Sequence, residues 1–327
     1  MLRSGTLLAL FIGIIAAFVG FTAAWGWWIA QPGPLPATQT VTIEKGSGVN
    51  RIAQTLHKNN VIDQPWMFQL AVRGMGLSSS LQAGTYRFHP GIPLKSVVRK
   101  MAVGDVQRFQ ITIPEGLTVK EVRQKLDQTE KLTGPTPIAE EGFLLPETYG
   151  YLQGMKRADI IKNMQTAAEK VLGEAWRDRS PDVPLSSPLE LLTLASIIEK
   201  ETSKIDEMET VSGVYVNRLR KGMKLQADPT VIYGLIQAGT YNGNLRKKHL
   251  QSKENPYNTY MHKGLPPGPI CNPGAAAIRA AANPQRHNYL FFVATGTDGR
   301  HLFAQNYSQH QKNVQAYLKN YRKQQKK

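Results

Sequence analysis

The chain has 327 residues, 41% of them hydrophobic, and a formal net charge of +16, which suits about two domains with ordinary apolar cores. That composition excludes a disordered chain, no internal repeat is present, and the single cysteine, Cys271, excludes an intramolecular disulfide or a multi-cysteine metal site. The positive charge favours an anionic partner such as phospholipid headgroups or an acidic polymer. Nucleic acid is not expected, because neither zinc-finger spacing nor an RNA-binding aromatic signature occurs.

From Leu7 to Ala30, LLALFIGIIAAFVGFTAAWGWWIA carries no charge, and its length is enough to cross the hydrocarbon core of a bilayer as a helix. A cleaved signal peptide would have a shorter apolar stretch and small residues at its end. Here Trp25, Trp27 and Trp28 stand at the far end, where an interfacial aromatic belt belongs. The expectation is a retained transmembrane anchor over 7–30 behind a cytoplasmic tail, 1–6. Arg3 lies on the short side and no Lys or Arg falls between Gln31 and Glu44, so the bulk of the chain is expected outside the cytoplasm. Within a linker, 31–40, the run QPGPLPAT from Gln31 to Thr38 reads as a Pro-rich spacer that holds the next domain off the membrane.

The segment 41–104 reads as a small βααβ module. A short strand, Val41–Glu44, is broken at Gly46 and Gly48, and a helix follows with Val49, Ile52, Ala53 and Leu56 at helical spacing. A second helix holds Trp66, Phe68, Leu70 and Ala71, then come a strand, Gly84–Phe88, and a helix, Leu94–Met101. Strand, two helices, strand is the order of the LysM carbohydrate-binding module, which this segment resembles in pattern. The remainder, 105–327, reads as a larger mixed α/β domain, making the fold class α+β.

In that domain a strand, Val106–Ile113, runs into the turn Pro114-Glu115-Gly116, and a helix starts at Val119. EGFLLPETYGY, Glu141–Tyr151, has the aromatics, proline and carboxylates, Glu147 among them, of a rigid loop lining a groove. A helix over 158–172 is followed by PDVPLSSP, where Ser187 and Pro188 suit a helix start. The helix expected over Leu189–Thr202, LELLTLASIIEKET, places Glu199 and Glu201 among apolar residues. At about 100° per residue the two lie roughly 160° apart, so one of them is expected in a cleft, with Lys200 pointing to solvent. Glu201 is nearer the helix end, where the dipole disfavours a negative charge and helps to keep an acid protonated. A buried carboxyl that holds its proton near neutral pH can serve as a general acid.

Downstream, VSGVYVNRLR reads as a helix ending at Lys221-Gly222, and Asp228 as the N-cap of the next helix with Pro229 at its first position. Glu254–Gly274, with Tyr257, Asn258 and Tyr260, is irregular and proline-stiffened, as segments that present polar groups to a ligand often are. Tyr289–Thr295 reads as a buried strand, and HLFAQNYSQHQKNVQAYLKNY, from His301, as a closing helix before a basic end. Cys271, in GPICNPG, reads as a small packed residue. His249, His262, His287, His301 and His310 lack the close helical pairing of a zinc site, so no metal and no cofactor is expected.

Taken together, EGFLLPETY, ASIIEKET, VNRLRKGMKLQADPTVIYG, YNTY followed by GLPPGPI, and NPG resemble the YceG (MltG) family of endolytic murein transglycosylases, in order and over essentially the whole chain. The resemblance implies that 105–327 is a catalytic domain acting on peptidoglycan glycan strands. It implies cleavage at the bond from N-acetylmuramic acid to N-acetylglucosamine to leave 1,6-anhydro ends, with trimming or termination of nascent strands. The second glutamate of the E-K-E triplet, Glu201, would be acid and then base, with Glu199 as the alternative or a supporting group. Glu147 stands where the family often has Asp. Gln226, Asp228, Tyr257, Asn258, Tyr260 and Glu147 are the candidates for substrate binding. Partners would be the glycan strands, inner-membrane lipid and peptidoglycan synthases, with the catalytic domain periplasmic or otherwise extracytoplasmic. Two other readings stay open: a non-catalytic glycan-binding scaffold for cell-wall synthases, and a muramidase in which Asp228 or Glu147 supplies a second carboxylate.

Overall fold

The structure is a computed structural model that describes residues 4–324; Arg3 and the basic residues at the very end of the chain lie outside the described residues. The chain divides into two compact units, Met1–Phe109 with Gly150–Gly154, and Gln110–Tyr149 with Met155–Lys327.

The first unit begins with α1 (Ser4–Trp28), whose stretch Leu10–Trp28 is long and apolar enough to cross a membrane, with mean hydropathy 1.9. Then follow β1 (Gln39–Ile43), α2 (Val49–Lys58), α3 (Pro65–Gly74), β2 (Gly84–Phe88) and α4 (Leu94–Ala102). β1 and β2 pair antiparallel, from Gln39 opposite Phe88 to Ile43 opposite Gly84. The βααβ order read from periodicity is therefore present. Ile52, Ala53 and Leu56 of α2, Phe68, Ala71 and Val72 of α3, and Val97, Val98 and Met101 of α4 meet Tyr86 and Phe88 in one buried cluster. Each helix buries the stripe that its spacing predicts.

The Pro-rich run is not a spacer. Leu35 is buried in the core of the module, the Gly33 amide donates to the Gly91 carbonyl, and the Gly91 amide donates to the Leu35 carbonyl. Gly33 has to be glycine for this approach, since a Cβ there would sit 2.4 Å from the Ile92 carbonyl oxygen. Composition identified the segment as non-helical, but the packing that stiffens it is tertiary.

The second unit contains β3 (Phe109–Thr112), which ends in it, α5 (Val119–Asp127), β4 (Thr148–Tyr151), which starts in it, and then α6 (Arg157–Arg177), α7 (Pro188–Glu201), α8 (Ile205–Arg220) and α9 (Asp228–Gln237). A single turn, α10 (Lys247–Leu250), precedes α11 (Ala275–Ala282), β5 (Phe291–Ala294), β6 (His301–Ala304) and α12 (Tyr307–Gln324). The core joins α6, α7, α8 and α11. α11, AAAIRAAA, has almost no polar contrast from which to read a period, yet its small side chains bring it close against α7 and α8, burying Ala277, Ile278, Ala280, Ala281 and Ala282.

Three expectations are corrected here. The strand at 106–113 is shorter, Phe109–Thr112. β5 is half-buried rather than buried. The closing helix does not start at His301: His301–Ala304 is a strand antiparallel to β5. Gly296 and Gly299, both at φ 75°, make the reversal possible, and Asp298 accepts from the Thr295 hydroxyl at 2.6 Å and the Arg300 amide at 3.1 Å. Glu207 of α8 then receives the His301 amide at 3.2 Å, which holds β6 in place.

Candidate active site

α7 carries its ionisable groups at its two ends, with none between Glu190 and Glu199. Ser187 accepts from the Glu190 amide at 3.2 Å and Pro188 opens the first turn. Every residue from Leu191 to Ile198 is buried, so the helix runs through the core, with Ser196 Oγ accepting from the Ile270 amide at 3.0 Å. Glu199, Lys200 and Glu201 are the first side chains to emerge, and Thr202 leaves the helix in an extended conformation, φ −143° and ψ 135°. A cavity of about 560 Å³ opens there, lined by Glu115, Gly116, Glu199, Lys200, Glu201, Thr202, Ser203 and Met208.

Both glutamates border this cavity, not one. The angular separation expected on a continuous helix matters less because the helix stops at Glu201 and the cavity wraps around its end. Lys200 is exposed, as expected, and its Nζ also donates to the Gly116 carbonyl at 3.3 Å, tying the Pro114-Glu115-Gly116 turn to the end of α7.

Glu201 Oε1 accepts from the Tyr215 hydroxyl at 2.8 Å. Burial pushes the Glu201 carboxyl up to about 7, and the negative charge of Asp228 adds to this, while the Tyr215 hydrogen bond and the Arg218 charge oppose it. A carboxyl so placed is shared between its acid and base forms at neutral pH. Tyr215 is fully enclosed and held as a neutral phenol, its ionisation pushed well up by burial and by Glu201. Arg218, also buried, donates to the carbonyls of Leu225 at 2.6 Å and Leu290 at 2.7 Å. It therefore acts on Glu201 as a fixed charge rather than as an ion-pair partner.

Asp228 is the first residue of α9, not its N-cap, which is Ala227. Its carboxylate makes no cap bond and accepts instead from the Tyr260 hydroxyl at 2.5 Å. The cap work falls to Thr259, whose hydroxyl accepts from the Ala227 amide at 3.0 Å. Gln226, exposed and at φ 50°, stands in the left-handed region just before this junction and donates its amide to the Thr259 carbonyl at 3.2 Å.

Glu199 has a different environment. Its Oε2 accepts from the Gly274 amide at 2.9 Å, and its carboxyl is raised chiefly by burial, with the Gly274 bond lowering it and Glu115 raising it. Gly274 is closely packed, since a Cβ there would fall 1.9 Å from Glu115 Oε1. Asn272 completes this corner. Its side chain accepts from the Leu144 amide at 3.0 Å and donates to the Leu117 carbonyl at 2.8 Å and to Glu141 at 3.3 Å. The Gly116 amide donates to the Asn272 carbonyl at 3.0 Å, so the NPG, EGFLLPETY and PEG segments are bonded to one another through this one buried residue. Glu141, raised by burial, also receives the Val119 amide at 2.9 Å and the Tyr233 hydroxyl at 3.3 Å.

The chain belongs to the YceG-like family. The family's model matches residues 41–316, a span that holds every element of this site. The chain is 31% identical over 314 residues to the endolytic murein transglycosylase of Bacillus subtilis (strain 168), with 86% of this chain and 85% of that protein covered. It is 26% identical to the endolytic murein transglycosylase of Streptococcus pneumoniae serotype 2, covering 85% of this chain and 58% of that longer protein. Among solved structures, a YceG-like protein from Listeria monocytogenes aligns with TM-score 0.51 at 29% identity, over 85% of this chain and 99% of the other.

Seen in this YceG-like chain, the expected site residues separate. Glu201, Asp228 and Tyr260 form one electrostatic group, because the charges of Asp228 and Glu201 raise the Tyr260 phenol, after burial and its own bond to Asp228. Tyr257 packs edge-on against Tyr233 with ring centres 4.8 Å apart. Asn258 is fully buried, and its amide donates to the carbonyls of His249, Leu250 and Ser252 while accepting from the Tyr260 amide. It clamps its own loop and presents no face to solvent. Glu147 is exposed, and its carbonyl receives the Ile113 amide at 3.0 Å. Cys271 is buried and donates to the Ser196 carbonyl at 3.4 Å. Among the described residues no group of His, Cys, Asp or Glu is arranged to hold a metal ion.

Sequence reading missed Tyr215, Arg218, Glu115 and Glu141 as members of the site. Tyr215 and Arg218 sit in VSGVYVNRLR, which reads as a helix; Arg218 also lies in the VNRLRKGMKLQADPTVIYG motif, but neither residue is marked by it as part of a site. Glu115 was visible only as a turn residue, although a carboxylate in a Pro-Glu-Gly turn is itself a signal.

Proposed function

We propose that this chain is a membrane-anchored endolytic lytic transglycosylase that cleaves peptidoglycan glycan strands, with Glu201 as the single acid and base. The observation that carries the reading is the Glu201 carboxyl, raised to about 7 and bordering an open cavity at the end of a buried helix. The names of the curated relatives support the reaction class and the murein substrate.

In the proposed reaction the protonated Glu201 carboxyl gives its proton to the glycosidic oxygen as the bond to C1 of the muramoyl sugar breaks. The carboxylate then takes the proton of the muramoyl C6 hydroxyl as that oxygen attacks C1. A 1,6-anhydro ring forms, no water is consumed, and the carboxyl ends in its starting state. Tyr215 holds the carboxyl in one orientation through its hydrogen bond, and the Asp228 carboxylate, held by Tyr260, favours positive charge as it develops on the sugar ring. Glu199 holds the NPG corner. Gln226, Tyr257 and Glu147 are proposed to contact the glycan. On this reading residues 105–327 form the catalytic domain, 41–104 a LysM-like module that binds the same strands, and α1 an inner-membrane anchor that leaves both outside the cytoplasm, in reach of cell-wall synthases.

Asp228 also favours a second reading, a muramidase, because an acid paired with a nearby carboxylate is the arrangement of a glycoside hydrolase. Mass spectrometry of digested, purified glycan strands separates the two: the lyase gives anhydro ends, and the hydrolase gives fragments heavier by one water. Glu201→Gln is expected to abolish release of anhydro-ended fragments. Undiminished release by that variant would overturn the role of Glu201, and hydrated ends from the native chain would replace the lyase with the muramidase.

A further inference from the structure

We propose that the βααβ module is seated on the bilayer, with the exposed face of α3 inserted among the lipids and the basic side of α4 on anionic headgroups. The module is a rigid continuation of the anchor. The Ile29 carbonyl, one residue past α1, accepts the Lys95 amide at 3.0 Å; Ile29 is buried, and Trp25 of α1 packs against the core of the module. The run Gln31–Thr38 is bonded to the same body, as described above, so there is no slack to lift the module from the membrane. A small cavity of about 100 Å³ is shared by Trp28 at the end of α1, Gln64 and Met67 at the start of α3, and Leu94 at the start of α4. Both helices therefore begin beside the residue at which the anchor leaves the hydrocarbon.

α3 has the composition for that level. Trp66 and Leu70 are one turn apart and 55% and 43% exposed, while Phe68, Ala71 and Val72 fill the core. Arg73 follows on the exposed side. A helix with apolar residues on its outer face, a tryptophan among them, and a cation beside them is suited to lie in a bilayer interface. On α4, Lys95 and Arg99 are one turn apart and flank the buried Val97 and Val98. Across 31–109 there are nine Lys and Arg against three Asp and Glu, which favours an anionic surface. An exposed tryptophan could also stack on a sugar, but glycan binding gives no reason for the rigid join to α1.

The proposal rests on α1 spanning the bilayer. The test uses the full chain with Leu70→Cys carrying a polarity-sensitive fluorophore, a selective label because Cys271 is fully buried, reconstituted in nanodiscs that contain spin-labelled lipid. In phosphatidylglycerol discs the label is expected to lose most of its emission to the lipid quencher. Adding Trp66→Glu should restore the emission, and Lys95→Glu with Arg99→Glu should restore it in part. Quenching should be weaker in phosphatidylcholine discs. A label that stays unquenched in chains recovered with the discs overturns the proposal, as does quenching that ignores Trp66→Glu and the lipid charge. An emission change caused by added glycan strands instead assigns the face to glycan. Failure of the anchor reading is distinct, since the chain would then be recovered free of lipid.

Discussion

Glu201→Gln should make the second unit more stable at alkaline pH while removing its activity. The carboxyl rises from 4.5 to about 7 in the folded chain, so between those values the folded state binds more protons than the unfolded one. The contribution of Glu201 to stability is therefore fully present below pH ~4.5 and is lost as pH rises through ~7. The shift corresponds to about 3 kcal/mol, reduced to roughly 2 kcal/mol because Glu201 keeps some contact with solvent. Glutamine can still accept the Tyr215 hydroxyl but never charges, so the variant escapes the penalty. Hydrogen exchange of the α7 amides Leu194–Ile198, compared between variant and native chain in detergent at matched pH, isolates the effect. Near pH 5 protection should be similar, and at pH 8 the variant should exchange more slowly, by roughly thirtyfold if the opening is local and the full difference is expressed. Equal protection at both pH values, or weaker protection of the variant at pH 8, would refute an energetically strained Glu201. Such a gain on losing a functional group is the signature of a site that sacrifices stability for reactivity.

Tyr215→Phe removes the hydrogen bond that lowers the Glu201 carboxyl, so the alkaline limb of the pH profile for anhydro-product release should move to higher pH; an unmoved limb would show that Tyr215 does not act on that proton. The same change should cost about 1 kcal/mol in stability, from one hydrogen bond lost in a buried place. Asn272→Ala leaves the Leu144 amide short of a partner and removes one of the two bonds to the Leu117 carbonyl, which keeps the backbone amide of residue 272, and is expected to cost about 1–3 kcal/mol, read as a lowered urea midpoint for the second unit. Tyr260→Phe frees the Asp228 carboxylate and should lower the turnover rate while leaving the fold intact; full turnover would remove Asp228 from the electrostatic group around Glu201.

Much of the fold was legible because its elements contrast with their surroundings. α2, α3 and α4 each bury one stripe and expose the other, and β2 carries Tyr86 and Phe88 inward on alternate positions. α7 has little such contrast, and it was read from a broad apolar face that includes Leu191, Leu194, Ala195 and Ile198, with Ser187 and Pro188 as its start. α11 and β6 were missed for related reasons: an alanine run has no polar side to give a period, and His301–Ala304 is too short to separate from the helix that follows without its partner strand in view. The candidate carboxyls were also legible, since Glu199 and Glu201 close an apolar run, and the resemblance singled out Glu201. What sets its proton affinity was not. Tyr215 reaches Glu201 from 14 residues downstream, and Asp228 and Arg218 act through space rather than through any local pattern. The two-residue spacing of Glu199 and Glu201 gains a physical meaning only at the helix end. On a continuing helix the two carboxyls would diverge; at the last turn, with Thr202 extended, both can border one cavity in unequal surroundings. Glu199 takes the Gly274 amide and Glu201 takes a neutral phenol. That inequality leaves one carboxyl tied to the loop and the other free to exchange its proton.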